Sequence, residues 1–118
     1  MTEVIATDEF VEWYRSLDET DVEEVTRCVD VLEMVGMKRG SPQSSAIKGS
    51  KHPLRELRVQ SRGRPLRVFY AFDPKRQAVL LLGGDKTGDK RFYKRMVPIA
   101  EGIWKRYLAE IGADDGNT

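Results

Sequence analysis

LRELRVQSRGRPLRVFYAFDPKRQAVLLLGGDKTGDKRFY, residues 54–93, decides the fold. It holds three apolar runs separated by turn signals at residues 61–64 and 73–76. Residues 54–60 read as one strand. Residues 66–73 read as a second with two apolar faces, Leu66, Val68, Tyr70 and Phe72 on one and Phe69 and Ala71 on the other. That pattern marks a central strand covered on both sides. Residues 78–82 read as a third, with Gly83 and Gly84 as the bend that ends it. The short connections predict an antiparallel meander. Arg67 shares the face of Phe69 and Ala71, where an unanswered charge is rare. It must meet an acid or point into a cleft at the strand's end.

Upstream the period changes from strand to helix. Residues 3–7, EVIAT, read as a short edge strand. Thr7 is placed to cap a helix whose stripe is Phe10, Trp13, Tyr14 and Leu17. Thr20 and Glu23 have capping-box spacing ahead of Val22, Val25, Val29, Leu32 and Val35, and Gly36 supplies a stop. The linker SLDE makes these two helices a hairpin. Residues 37–53 read as a loop with an extended piece at residues 46–48. Downstream, Asp89 is a candidate cap for a stripe running from Phe92 through Met96, Ile103 and Trp104 to Ile111. Pro98 within it predicts a kink or a break. The expectation is one α+β domain over residues 1–118, with residues 112–118 a frayed tail. A helical hairpin packs on a twisted, mainly antiparallel sheet of residues 3–7, 54–60, 66–73 and 78–84, and a helix follows.

Composition narrows the function classes. The 118 residues are 40% hydrophobic and 33% charged, normal for a globular domain. No apolar run approaches the roughly 18–20 residues of a membrane span. The acidic start, MTEVIATDEF, has no signal-peptide pattern. Cys28 is the single cysteine and reads as a core thiol, and His52 is the single histidine, so no metal or cofactor is expected. These features predict a cytoplasmic protein. The net charge of +1 hides an asymmetry. Residues 1–47 hold 4 Lys/Arg against 11 Asp/Glu, residues 48–95 hold 14 against 4, and residues 96–118 hold 2 against 4. The segment charges are therefore −7, +10 and −2. Cations this dense, interleaved with strand positions, point to nucleic acid.

No phosphate loop, zinc-protease helix, Cys/His cluster or nucleophile elbow is present. What remains is a basic constellation with an aromatic hydroxyl. Arg67, Lys86, Arg91 and Tyr93 are the catalytic candidates. Lys48, Lys51, Arg55, Arg58, Lys90 and Lys94 are the RNA-binding candidates. RNA brings its own nucleophile, the 2′-hydroxyl. Cleavage therefore needs a base, cations on the phosphate and a proton for the leaving 5′-oxygen, and demands no metal.

The segments EVIATDEFVEWY, IKGSKHPLRELR, RPLRVFYAFDP and LLLGGDKTGDKRFYKRMVPIAE carry a further resemblance. The sequence resembles the RelE/ParE superfamily of toxin–antitoxin toxins, in its phage-derived HigB-like branch, over nearly the whole chain. The resemblance implies a compact RelE-like α+β fold and, for ribosome-dependent members, messenger RNA cleavage in the ribosomal A site. It implies neutralisation by a cognate antitoxin, often a helix-turn-helix protein, and no membrane partner. Arg67 resembles the family's strand arginine at the scissile phosphate, and Lys86 its second cation. Tyr93 resembles the downstream aromatic of RelE, and Lys48 with Arg55 or Arg58 the earlier basic positions. Some relatives use a histidine near the C-terminus, which this chain lacks. Two rival readings are a ParE-like DNA gyrase inhibitor and a noncatalytic RNA-binding protein.

Overall fold

The computed structural model describes residues 1–37 and 43–113. Eight elements follow one another: β1 (Val4–Ala6), α1 (Asp8–Arg15), α2 (Glu19–Val35), β2 (Ser44–Ala46), β3 (Arg55–Ser61), β4 (Arg64–Phe72), β5 (Ala78–Asp85) and α3 (Phe92–Glu110). The five strands form one sheet in the order β1-β5-β4-β3-β2. β1 runs parallel to β5, and every other pairing is antiparallel. The sheet therefore has one strand more than the sequence reading. The extended piece expected at residues 46–48 is β2, two residues earlier, and Lys48 falls in the turn after it. Part of the expected loop, and residues 114–118 of the expected frayed tail, lie outside the described residues.

Both faces of the sheet are covered, as the two-sided apolar pattern of β4 requires. On one face Phe10 of α1 and Val25 and Leu32 of α2 pack with Leu57, Val59, Leu66, Val68, Tyr70 and Leu80. On the other, Phe92, Met96, Ile103 and Trp104 of α3 pack with Phe69, Ala71, Val79 and Leu81. Thr7 caps α1 as expected, accepting from Phe10 N at 3.2 Å. α2 starts earlier than the capping-box reading. Asp18 is its cap, accepting from Asp21 N at 3.0 Å. The earlier start sets Asp21 in the first turn, where its carboxylate meets Ser61 and Arg64 across the fold. α3 also departs from expectation. Arg91, not Asp89, holds the cap position, and Asp89 instead accepts from Arg91 N at 3.0 Å just ahead of the helix. The helix runs unbroken past Pro98, which is exposed, so the carbonyl left without a donor can be hydrated.

A bulge in β5 settles which way the end of that strand faces. Phe69 is opposite Leu82, yet Tyr70 is opposite Leu80, so Leu81 is the extra residue. Leu81 and Leu82 both turn towards the α3 core. The inserted residue resets the alternation beyond it. Gly83 and Gly84 are strand residues rather than a terminating bend, and each makes room for a ring. A Cβ on Gly83 would fall within the indole of Trp13 on α1. One on Gly84 would lie 2.9 Å from Phe92 and 3.0 Å from Met96 on α3.

Gly83→Ala should therefore lose about 1–3 kcal/mol through overpacking. Gly102 lies in α3 with open space around its Cβ position. Gly102→Ala should instead gain up to about 1 kcal/mol from helix propensity. Urea unfolding of the two variants checks the pair: the midpoints should move in opposite directions.

Candidate functional site

Alternation along β3 and β4 builds the site. Leu57 and Val59 face the hairpin core, so Glu56 and Arg58 face the α3 side with Arg67. Arg58 is directly opposite Arg67, and Glu56 is opposite Phe69. Glu56 thus lies diagonally across the ladder from Arg67, within reach of a long side chain. Its Oε1 is 3.1 Å from Arg67 Nε. The Tyr93 hydroxyl, from the first turn of α3, donates to the same oxygen at 2.6 Å. Arg67 Nε also points at the Tyr93 oxygen, 3.3 Å away, and Arg67 Nη1 donates to Leu66 O at 3.0 Å. The side chains of Arg67 and Glu56 are each 10% exposed. Arg67 therefore meets an acid, one of the two alternatives its strand position left open.

Lys86 joins the cluster because of the bulge. Unbroken alternation from Val79 would turn it to the opposite face. The reset turns it to the α3 side, where its Nζ lies 5.2 Å from the centre of the Tyr93 ring. Phe69 and Phe92 meet that ring in T-shaped contacts. Burial first, and the bond to Glu56 second, push the Tyr93 phenol above the usual tyrosine value, because both oppose a phenolate.

A groove of about 520 Å³ opens beside this cluster, lined by Ser45, Ala46, Ile47, Lys48, Glu56, Arg58 and Tyr93. Lys48 and Arg58 give it a cationic rim, and Glu56 supplies a carboxylate inside it. Of the other residues singled out in the sequence, Lys51 is exposed in the turn beyond Lys48. Lys90, Arg91 and Lys94 are exposed around the start of α3, outside the groove lining. Arg55 is on the far face of the sheet. The period-two alternation sends it to Ser44 (3.1 Å from Nη2) and to the Tyr70 hydroxyl (3.3 Å from Nε). Arg62 and Arg64 also leave the basic face, pairing with Asp18, the cap of α2, and with Asp21 in its first turn. The acidic hairpin thus neutralises part of the cationic segment, so the two charges are less fully separated than the sequence tally suggests.

Glu56 is the residue of this cluster that the sequence did not single out. A signal was present. Of the four acids in residues 48–95, Glu56 lies within a strand rather than at a strand end or in a turn, two residues from Arg58 and so on the same face. Chemically, the cluster offers a carboxylate to take a proton, a guanidinium beside it to meet an anion, and further cations around the groove.

A family model described as phage derived protein Gp49-like (DUF891) matches residues 12–105. The chain is 40% identical to the candidate toxin HigB3 of Mycobacterium tuberculosis over 108 residues, 90% of this chain and 93% of that protein. It is 36% identical to the candidate toxin HigB2 of the same organism over 101 residues, 83% of this chain and 50% of that protein. Among solved structures it is similar to a mutant of the Escherichia coli toxin RelE in the free state. The TM-score is 0.59 at 11% identity, covering 89% of this chain and 96% of that one, a likeness of fold alone.

The Glu56–Tyr93 bond has a spectroscopic signature. Glu56→Gln removes the carboxylate that opposes the phenolate, so Tyr93 should titrate at lower pH in the variant than in the native chain. Tyr107, pushed up to about 12 by burial and its bond to Asp73, is the internal control and should not move. Titration of ring-labelled tyrosines by NMR measures both. An unmoved Tyr93 would show that the bond is not made in solution.

Proposed function

Because the chain belongs to the phage-derived Gp49-like family, we propose that it is the toxin of a type II toxin–antitoxin pair and an endoribonuclease that cuts messenger RNA on the ribosome without a metal ion. The observation that carries this reading is the convergence of Arg67 and Tyr93 on one oxygen of Glu56, beside a groove with a cationic rim. Its partners on this reading are the translating ribosome with its message and a helix-turn-helix antitoxin that silences it. It works in the cytoplasm as one domain over residues 1–118. Among the described residues no helix is long and apolar enough to cross a membrane.

The chemistry follows from the side chains. Glu56 takes the proton of the 2′-hydroxyl as that oxygen attacks the adjacent phosphorus. The bond from O2′ to phosphorus forms and the bond to O5′ breaks, leaving a cyclic 2′,3′-phosphate and a 5′-hydroxyl end. Arg67 stabilises the charge gathering on the phosphoryl oxygens, with Arg58 and Lys86 close by. Charge on the departing O5′ is met by these cations until it takes a proton from water. Tyr93 orients Glu56 through its hydroxyl. Its ring carries Lys86 and is flanked by two phenylalanines, so its contribution is to hold the base in place. Lys48 and Arg58 hold the message along the groove, and the exposed Lys51, Lys90, Arg91 and Lys94 add to the surrounding field.

Cleavage in a translating extract containing a chelator, with message ends mapped, tests the reading. Glu56→Gln should lower the rate by roughly 100- to 10,000-fold. Arg67→Ala should lower it by roughly 100- to 1,000-fold. Arg67→Lys should also be impaired, because it keeps the charge but loses the fork. Arg67→Ala leaves Glu56 without its charge partner, so circular dichroism must accompany it. Glu56→Gln, which keeps an acceptor for Tyr93, is the safer variant. Full cleavage by folded Glu56→Gln would remove Glu56 as the base. Activity lost on chelation and restored by added metal would end the metal-free mechanism. An intact message together with inhibited gyrase supercoiling would favour the gyrase reading instead.

A further inference from the structure

Lys48 lies on the groove wall in a turn, where a long exposed side chain is ordinarily free to wander. The backbone around it is nevertheless tied down. Ile47 N donates to Leu54 O at 3.1 Å, and Leu54 N to His52 O at 2.7 Å, closing residues 47–54 into a short loop. Gly49 makes the turn with φ +84°. Ile47 and Leu54 rest on the α3 core. A side-chain bond links the tip of this loop to the helix. Ser50 Oγ donates to Glu101 Oε2 of α3 at 2.7 Å, and the same hydroxyl accepts from His52 N at 3.1 Å. Tyr93 and Glu101 are on the same helix, about 12 Å apart along its axis. α3 therefore fixes both sides of the groove: Tyr93 holds the catalytic carboxylate and Glu101 holds the loop that carries Lys48.

We propose that Glu101 is a positioning residue for RNA, acting through Ser50 to hold Lys48 over the groove. The assignment of RNA as the ligand rests on the function proposed above, whereas the tether itself does not. The two effects Glu101 can exert have opposite signs. As an acid near a polyanion's path it repels the ligand, so deleting it should tighten binding. As the anchor of Lys48 it assists, so deleting it should weaken binding.

Fluorescence anisotropy with a single-stranded RNA oligonucleotide separates them, using full-length chains that also carry Glu56→Gln so that the probe stays intact. Glu101→Ala and Ser50→Ala should each weaken binding about five-fold and flatten the log–log salt slope by about 0.7, the loss of one phosphate contact on a single strand. Lys48→Ala should do the same. The double variant Glu101→Ala/Lys48→Ala should be no weaker than Lys48→Ala alone. Glu101→Gln keeps an acceptor for Ser50 and should restore native or tighter binding. Amide exchange at Ile47, read by NMR, gives a second and ligand-free measure. It should quicken in Glu101→Ala and stay slow in Glu101→Gln and Lys48→Ala. Tighter or unchanged binding by Glu101→Ala, additivity with Lys48→Ala, or unaltered exchange at Ile47 would overturn the proposal. If the protein without Glu101 or Lys48 substitutions binds no RNA while Ile47 exchange quickens as described, the tether stands and the RNA reading falls.

Discussion

Arg67 lies on the middle strand of a sheet covered on both faces, and its charge has to be answered there. Removing a guanidinium from water costs several kcal/mol unless a partner and further hydrogen bonds compensate. Glu56 is that partner, one strand over and diagonal in register. The pairing fixes much else. It sets the rotamer of Arg67, gives Tyr93 an acceptor, and so locks the first turn of α3 against the sheet. Breaking such a pair from one side leaves an uncompensated charge, so the cluster is stiff in its resting form. Stiffness of this kind is what a preorganised catalytic group needs.

The opposite face uses charge for a different purpose. There Arg62 and Arg64, in and beside the β3–β4 turn, reach Asp18 and Asp21 at the start of α2. The Arg64 guanidinium, with the Ser61 hydroxyl, holds the Asp21 carboxyl below its usual range. Arg62 adopts φ +51° in the turn, a left-handed conformation that is uncommon outside glycine, and its ion pairs help to hold it there. These cations staple the hairpin to the sheet. Lys48, Arg58 and Lys86 lie on the α3 side around the groove, so a molecule with almost no net charge presents a basic groove.

The strand and helix content was legible because its causes are local. Apolar runs bounded by turn signals marked β3, β4 and β5, and period-3.6 stripes marked all three helices. Thr7 marked a boundary through its side-chain oxygen and Gly36 through its backbone freedom. Local signals failed where two were equally good: Asp18 and Thr20 can each cap a helix, and contacts from Ser61 and Arg64 to Asp21 favour the earlier start. The face of Arg67 was legible too, as was its need for an acid or an anion.

Which residue answers Arg67 was decided by strand pairing, because a diagonal neighbour depends on the register between two strands and no single window contains it. The direction of Lys86 was decided by the bulge at Leu81, which reverses the parity that alternation alone would assign. The destinations of Arg55, Arg62 and Arg64 were decided by what waits on the hairpin side, since a cation goes to the nearest carboxylate or hydroxyl that shares its face. The sequence by itself determined the elements, the two-sided core and the supply of cations, because each is a property of residues a few positions apart. The tertiary structure determined which cations gather beside the groove and which acid lies among them, because those are relations between side chains tens of residues apart in the chain.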